Sequence, residues 1–148
     1  MIKFEVVKIR KGKEIPTVIK KVGFDFSWDT KKVWTLDIPV EEIDITELEW
    51  HFNIPFWDKP NGGYYDLTPN QVLSDPEKYK EEYERTMKAD LSHPLDVMLW
   101  KGKWLLFDGL HMLVKQKQLG KERVRVRKIP QNLIPKIKKR SKTSENKR

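Results

Sequence analysis

Residues 104–120 read WLLFDGLHMLVKQKQLG, a stretch that passes from a strand to a helix across two residues. The apolar run at 104–107 is typical of a buried strand, and apolar side chains recur at helical spacing from Leu110 to Val114. Gly120 has the position of a glycine that ends a helix in a left-handed conformation. The stretch therefore predicts a strand, a glycine turn and a helix in succession.

The turn in this stretch is Asp108-Gly109, and it favours phosphate binding. The first N–H groups of a helix have no partner within it, the helix dipole adds positive charge there, and glycine lets a ligand approach. Asp108 has two interpretations, a general base for a hydroxyl nucleophile or the N-cap of the helix, worth about 1 kcal/mol. His111 is either a donor to a phosphate oxygen or a histidine with a partner inside the protein.

Length and composition bound the class of protein. The chain has 148 residues, which fits one domain, and no cysteine, which excludes disulfides, thiolate metal sites and sulfur nucleophiles. No metal site is predicted. Charged residues near the start argue against a signal peptide, and no apolar run approaches the ~20 residues of a membrane span. We expect a cytoplasmic protein with no membrane partner.

Positive charge is concentrated at the C-terminal end. Residues 121–148 hold 12 Lys and Arg against 2 Glu, whereas residues 1–120 hold 18 basic against 20 acidic residues. A solvated, disordered basic tail over residues 136–148 is the simpler interpretation. The alternative is a DNA-associated module that makes weak, non-specific contacts with nucleic-acid phosphates. Its cations would be Arg123, Arg125, Arg127, Lys138, Lys139 and Arg140.

The first half of the chain predicts three strands and a short helix. Alternating apolar residues predict strands over residues 2–6 and 16–26, and a β-rich run predicts a third over 33–40 that ends near its proline. Thr46 and Glu49 have capping-box spacing and predict the start of a short helix.

Residues 53–67 mix turn residues with four large aromatic side chains. These aromatics either seal the edge of the core or form a substrate lid. A capping box at Thr68 and Gln71 predicts a short helix, and Asp75 is expected to cap the next one. That second helix carries an apolar stripe and charged residues turned outward. The stripe is Tyr79, Tyr83, Met87 and Leu91, and the outward residues are Glu81, Glu82, Glu84 and Arg85.

Two strands around residues 101–103 predict a tight β-hairpin with Trp100 and Trp104 as a cross-strand pair. Strict alternation of valine and arginine predicts a last strand over 123–127 with one basic face. These elements predict a single α/β domain of the α+β type over residues 1–135, with a small mixed sheet and flanking helices.

The order of these motifs resembles the ParB/sulfiredoxin-like superfamily. From about Leu91 to Ile129 the chain reads HPLDV, a hairpin, LLFDGLH, a helix, LG and VRVRKIP. The run LDIPVEEI at 36–43 is similar to the entry strand of that family, so the resemblance covers about residues 34–130. In the family, a strand ends in an Asp-Gly-x-His-Arg loop and the next helix begins on nucleotide phosphates. The conjunction of loop, helix and strand is fairly specific.

The resemblance implies a stand-alone ParB-like protein that binds a nucleotide of the ATP, ADP or CTP class with Mg²⁺. Some stand-alone members are kinases of small hydroxyl compounds, which implies an ATP- or ADP-dependent phosphotransferase. Asp108 would then be catalytic, with Glu41 and Glu42 as candidates for a second carboxylate or as solvated charges. The nucleotide-binding residues would be Gly109, Leu110, His111, Met112 and Lys115.

The chain departs from the family at three points. Met112 stands where the family has an arginine, so the bidentate phosphate contact of that arginine is missing. Leu110 stands where sulfiredoxins need a cysteine, which excludes sulfinic-acid repair. A short basic tail follows Pro130 instead of a helix-turn-helix domain, so chromosome partition is not expected. A degenerate, non-catalytic scaffold is a third interpretation, favoured by Met112.

Overall fold

A computed structural model describes residues 15–139. The strand predicted over residues 2–6 and Arg140 lie outside the described residues. The four strands are β1 Val40–Asp44, β2 Leu95–Trp100, β3 Lys103–Leu106 and β4 Arg123–Lys128. The α-helices are α1 Thr17–Val22, α2 Thr30–Trp34, α3 Pro69–Ser74, α4 Lys80–Met87, α5 Leu110–Gln118 and α6 Ile134–Ile137. Three 3₁₀ helices span Ile45–Glu47, Glu49–Asn53 and Gln131–Leu133.

The strands form one mixed sheet in the order β1-β4-β2-β3. β4 pairs antiparallel with β1 and parallel with β2, and β2 pairs antiparallel with β3. Parallel strands need a crossover connection, and the chain makes it through β3 and α5. The predicted mixed sheet with flanking helices is confirmed. Among the helices of residues 15–139, none is both long and apolar enough to cross a bilayer.

Both faces of the sheet are covered by other elements. Successive side chains of a strand point to opposite faces, so each strand can contribute to the packing on both. The first face carries Val97, Leu106 and Val126, which pack under α3, α5 and the first two 3₁₀ helices. The second face carries Met98 and Leu105, which pack under α2 and α6. The strands thus lie between two apolar clusters, called here the first and the second core.

The β2–β3 hairpin is confirmed, but its predicted cross-strand pair is wrong. Lys101 and Gly102 both have positive φ, 52° and 82°, as in the two-residue turns whose twist matches antiparallel strands. This turn places Lys103 opposite Trp100 and Trp104 opposite Leu99. Trp100 packs against the second core and Trp104 against the first. A register shift of one residue changes the face of every side chain, which explains the error.

Helix α5 and its end are confirmed. Gly120 has φ 82° and its N–H donates to Lys117 O at 3.0 Å, while Lys121 N–H donates to Gln116 O at 3.0 Å. These two bonds form a Schellman motif, which satisfies carbonyls that the helix itself leaves open.

The signals for short helices had mixed outcomes. The capping box of α3 is present, with Thr68 Oγ1 accepting from Gln71 N–H at 3.1 Å. The one at Thr46 is wrong, because residues 45–53 form two 3₁₀ helices that no described side chain caps. Asp75 is not the N-cap of α4, because Tyr79 occupies that position, and Asp75 Oδ1 accepts from Lys78 N–H at 3.2 Å in the turn before the helix.

The strands predicted over residues 16–26 and 33–40 are wrong. The first region forms α1 and the second begins in α2, where Asp29 Oδ1 accepts from Lys31 N–H at 3.0 Å. Ile19 is the buried residue of α1, and Ile15, which precedes the helix, is buried as well. Strand β1 starts at Val40, directly after the proline that was expected to end a strand.

The C-terminal boundary also needs correction. Ile137 belongs to the second core, and its carbonyl accepts from Asp29 N–H at 2.8 Å. Lys139 N–H donates to Ser27 O at 2.9 Å. Residues 136–139 are therefore part of the fold, and the remainder of the predicted tail lies outside the described residues.

Candidate functional site

The joint between β3 and α5 has the predicted geometry. Phe107 N–H donates to Asp96 O at 3.0 Å, after which Gly109 turns the chain with φ 102°. A Cβ on Gly109 would lie 3.1 Å from Leu95 Cδ2 and 3.4 Å from Met112 Sδ. Within residues 15–139, no side chain caps the N-terminus of α5. Its first N–H groups thus remain donors for a ligand.

Asp108 is not the N-cap of α5, so that interpretation is wrong. Gly109 occupies the cap position. The Asp108 carboxylate is exposed and turns toward α2, where its Oδ2 accepts from Trp28 Nε1 at 3.3 Å and from Thr30 Oγ1 at 3.1 Å. The carboxylate is therefore held in place beside the joint by two side chains that lie 80 and 78 residues earlier in the chain.

His111 has partners inside the protein. Its Nε2 lies 2.8 Å from Glu82 Oε1, and its ring stacks on Trp57 with 4.6 Å between centroids and 15° between planes. The side chain of Glu82 is only 14% exposed, although the sequence pattern predicted it to face outward. This pair joins α4 to the first turn of α5.

The other predicted nucleotide-binding side chains face the protein. Leu110 and Met112 are partly buried against the first core. Lys115 Nζ donates to Ala89 O at 2.8 Å. At this joint, contacts with a ligand would come from backbone N–H groups and from Asp108.

Glu41 and Glu42 are not brought to the joint. They lie on β1, whereas Asp108 follows β3 at the opposite edge of the sheet. Glu41 pairs with Lys128 Nζ at 3.3 Å and Glu42 with Arg123 Nε at 3.3 Å. Both carboxylates serve ion pairs within the sheet.

The arginines of β4 also contact the protein. Arg127 Nε lies 2.6 Å from Asp96 Oδ1, and both side chains are 12% exposed. Arg123 bridges to carboxylates of β1, and Arg125 donates to the carbonyls of residues 91 and 92. Lys138 and Lys139 are exposed. The predicted basic face is thus largely used to join neighbouring segments.

His51 is a structural histidine. Its Nδ1 lies 2.8 Å from Leu48 O, and its Nε2 accepts from Leu106 N–H at 3.2 Å, so the ring proton is on Nδ1. Burial is the main cause that lowers the pKa of His51 to about 4. The neutral ring thus supplies a buried acceptor to the outer edge of β3.

A cleft that the sequence did not predict lies beside the joint. Its volume is about 290 Å³, and it is bounded by the loop of residues 58–63 and by α4. Glu82 lines this cleft and at the same time holds His111. The sequence signal for this cleft is the aromatic and glycine content of residues 53–67, which predicts either a sealed core edge or a substrate lid.

The chain matches no protein-family model, no curated protein and no solved structure. In the part of the chain that the structure describes, no three or more His, Asp or Glu side chains are grouped to hold a metal ion.

Proposed function

We propose that the protein binds the phosphate groups of a nucleotide at the joint of β3 and α5, as a ParB/sulfiredoxin-like protein. The observation that supports this is Gly109, whose φ of 102° leads the chain directly into a helix with no side-chain cap among the described residues. Backbone N–H groups and the helix dipole favour an anion at such an end.

The residues beside the joint fit a nucleotide with Mg²⁺. Magnesium is held mainly by phosphates, water and one or two carboxylates. Asp108 is exposed and is oriented by Thr30 and Trp28, so it is the carboxylate that would contact the ion. No lysine or arginine side chain of the α5 first turn takes part, because Met112 stands where the family has an arginine.

The proposed reaction class is phosphoryl transfer to a small hydroxyl compound in the cytoplasm. In such a reaction the hydroxyl oxygen bonds to phosphorus, the bond from phosphorus to its leaving oxygen breaks, and a carboxylate takes the hydroxyl proton. Two carboxylates flank the joint, Asp108 on the side of α2 and Glu82 on the side of α4.

The test compares two glycine variants of the same helix. Gly109 and Gly120 both have positive φ, so Gly109→Ala and Gly120→Ala both strain the backbone. Wild type should melt at a higher temperature with ATP, ADP or CTP and Mg²⁺, since a ligand at 100 times its Kd adds about 2.7 kcal/mol. Gly120→Ala should keep this shift, whereas Gly109→Ala should lose it.

Two results would contradict the proposal. One is a wild type with no shift in any of the three nucleotides. The other is a Gly109→Ala variant that folds and shifts as much as Gly120→Ala. Binding to a DNA duplex that falls steeply as the salt concentration rises, with no nucleotide-dependent shift, would instead favour the nucleic-acid interpretation.

A further inference from the structure

The cleft beside the joint is bounded on one side by a loop with hydrogen bonds across it. Trp57 and Leu67 pair as an isolated β-bridge at the base of this loop. Inside it, Asp58 Oδ1 accepts from Tyr65 N–H at 2.7 Å, and Asp66 Oδ1 accepts from Lys59 N–H at 2.7 Å. The two carboxylates thus hold the loop closed across its width.

The same loop contains residues in uncommon backbone conformations. Asn61 and Tyr65 have positive φ, 67° and 49°, which is uncommon outside glycine. A Cβ on Gly63 would lie 2.6 Å from both N and O of Lys59, so only glycine fits there. Conformations of this kind are costly and cluster at ligand sites.

On the other side, α4 presents Glu82 and Arg85 to the cleft. Glu82 Oε1 is bonded to His111, while its Oε2 lies 3.7 Å from the Arg85 guanidinium, beyond hydrogen-bond distance. A carboxylate has about four lone-pair sites, so Glu82 keeps acceptor capacity for a ligand. His111 and the stacked Trp57 hold it in one orientation.

The charges of the lining are mixed and nearly balanced. Three carboxylates and two cations line the cleft: Asp58, Glu81 and Glu82, with Lys59 and Arg85. A hydroxyl group donates one hydrogen bond and accepts up to two. Carboxylates supply the acceptors and Arg85 the donors that such groups require, whereas this lining offers no surplus of positive charge to a strongly anionic ligand.

We propose that this cleft binds a small uncharged hydroxyl compound, with Glu82 accepting from one hydroxyl group and Arg85 donating to another. Its role as the acceptor site for phosphoryl transfer rests on the function proposed above, but the binding itself does not. Glu82 and His111 form the physical link, because they connect the cleft to the first turn of the phosphate-facing helix. Glu82, rather than Asp108, is then the carboxylate that meets the hydroxyl compound.

The experiment measures binding of glycerol, D-ribose and myo-inositol to the full chain by ligand-observed NMR, with and without ATP and Mg²⁺. At least one probe should bind wild type. Arg85→Gln and Glu82→Gln should each weaken its binding about tenfold or more, because each removes a hydrogen bond to a charged group. Arg123→Gln is the matched control, since Arg123 is also an exposed arginine in an ion pair, and it should leave the affinity within about twofold.

Absence of binding for all three probes would overturn the proposal, as would equal binding in wild type and in Arg85→Gln. Arg85 is 61% exposed, so this variant is expected to fold even where Glu82→Gln does not. Gly109→Ala separates the two proposals. Probe binding that persists in this variant while nucleotide binding is lost supports both sites, and probe binding without any nucleotide shift in wild type leaves the cleft standing alone.

Discussion

The two faces of the sheet use their polar side chains differently. On the second face, Arg127 has Asp96 and the carbonyls of Val33 and Leu36 as partners, so its donors serve to attach α2 to the sheet. In the helices on the side of the first face, Glu82 of α4 and His111 of α5 bind each other beside an open cleft. A polar pair whose donors and acceptors are all satisfied within the protein contributes to its stability. A pair that keeps a free acceptor beside a cavity can also bind a ligand.

The largest expected effect is the loss of stability when the Arg127–Asp96 ion pair on the second face is removed. Arg127→Gln leaves Asp96 nearly buried without its charged partner, and breaking such a pair typically costs 3–5 kcal/mol. We expect the free energy of unfolding in urea to fall by about 3 kcal/mol. Arg123→Gln, on the same strand but 52% exposed, should change it by about 1 kcal/mol or less. Equal decreases in the free energy of unfolding of the two variants would show that burial of the ion pair makes no difference to its contribution.

The next effect concerns pH and the core under the first face. His51 has a pKa of about 4 in the folded protein and 6.5 as its ordinary value, so folding favours the neutral ring. Its contribution is present above pH 6.5 and is lost as pH falls toward 4, by about 3 kcal/mol in total.

The measurement is a series of urea unfolding curves between pH 7 and 5, above the range in which ordinary carboxylates titrate. Wild type should lose stability steadily across this interval. His51→Gln starts lower, since it loses the bond to Leu106, but should show a much flatter dependence on pH. A slope that is unchanged in His51→Gln would assign the effect to another group.

A smaller effect is expected for a substitution of Met112 in the first turn of α5. Met112 is partly buried against the first core, and the proposed resemblance to ParB/sulfiredoxin-like proteins would place an arginine at this position. In Met112→Arg the long side chain can keep its stem on the apolar surface and its head in water, at a cost of about 1 kcal/mol. Nucleotide binding should tighten about tenfold through a charge-assisted phosphate contact.

Titration calorimetry with ATP and ADP, together with a melt of each apo protein, measures both quantities. Met112→Leu conserves volume and should change neither by much. A destabilised Met112→Arg protein with no gain in affinity would mean that this side chain belongs to the core and not to a phosphate site.

The smallest effect concerns the basic end. Deleting residues 140–148 should change stability by less than about 0.5 kcal/mol and leave any nucleotide-dependent shift intact. The deletion must start after Lys139, because Ile137 is buried in the second core. Binding to a random DNA duplex at low salt should weaken. A nucleotide shift that disappears with these residues would place the site away from the joint.

Signals that act over a few residues were predictable from the sequence. Gly109 precedes the start of α5 and Gly120 follows its end. Thr68 and Gln71 form the capping box of α3, and the two valines of β4 are both buried. Each depends on backbone conformation or spacing within one turn or strand. The strand predictions over residues 16–26 and 33–40 are wrong because the apolar positions there fit period two as well as a helix, and only packing against the sheet distinguishes the two.

Other features were decided by the tertiary structure. Glu82 and His111 are 29 residues apart, and Arg127 and Asp96 are 31 apart. In the sequence each is one charged or titratable residue among many, and spacing of this length carries no information about contact. The fold brings them together because the crossover through α5 sets β4 beside β2 and α5 against α4. The chain alone therefore determined where phosphate is expected to bind, whereas the cleft beside it exists only because distant segments pack there.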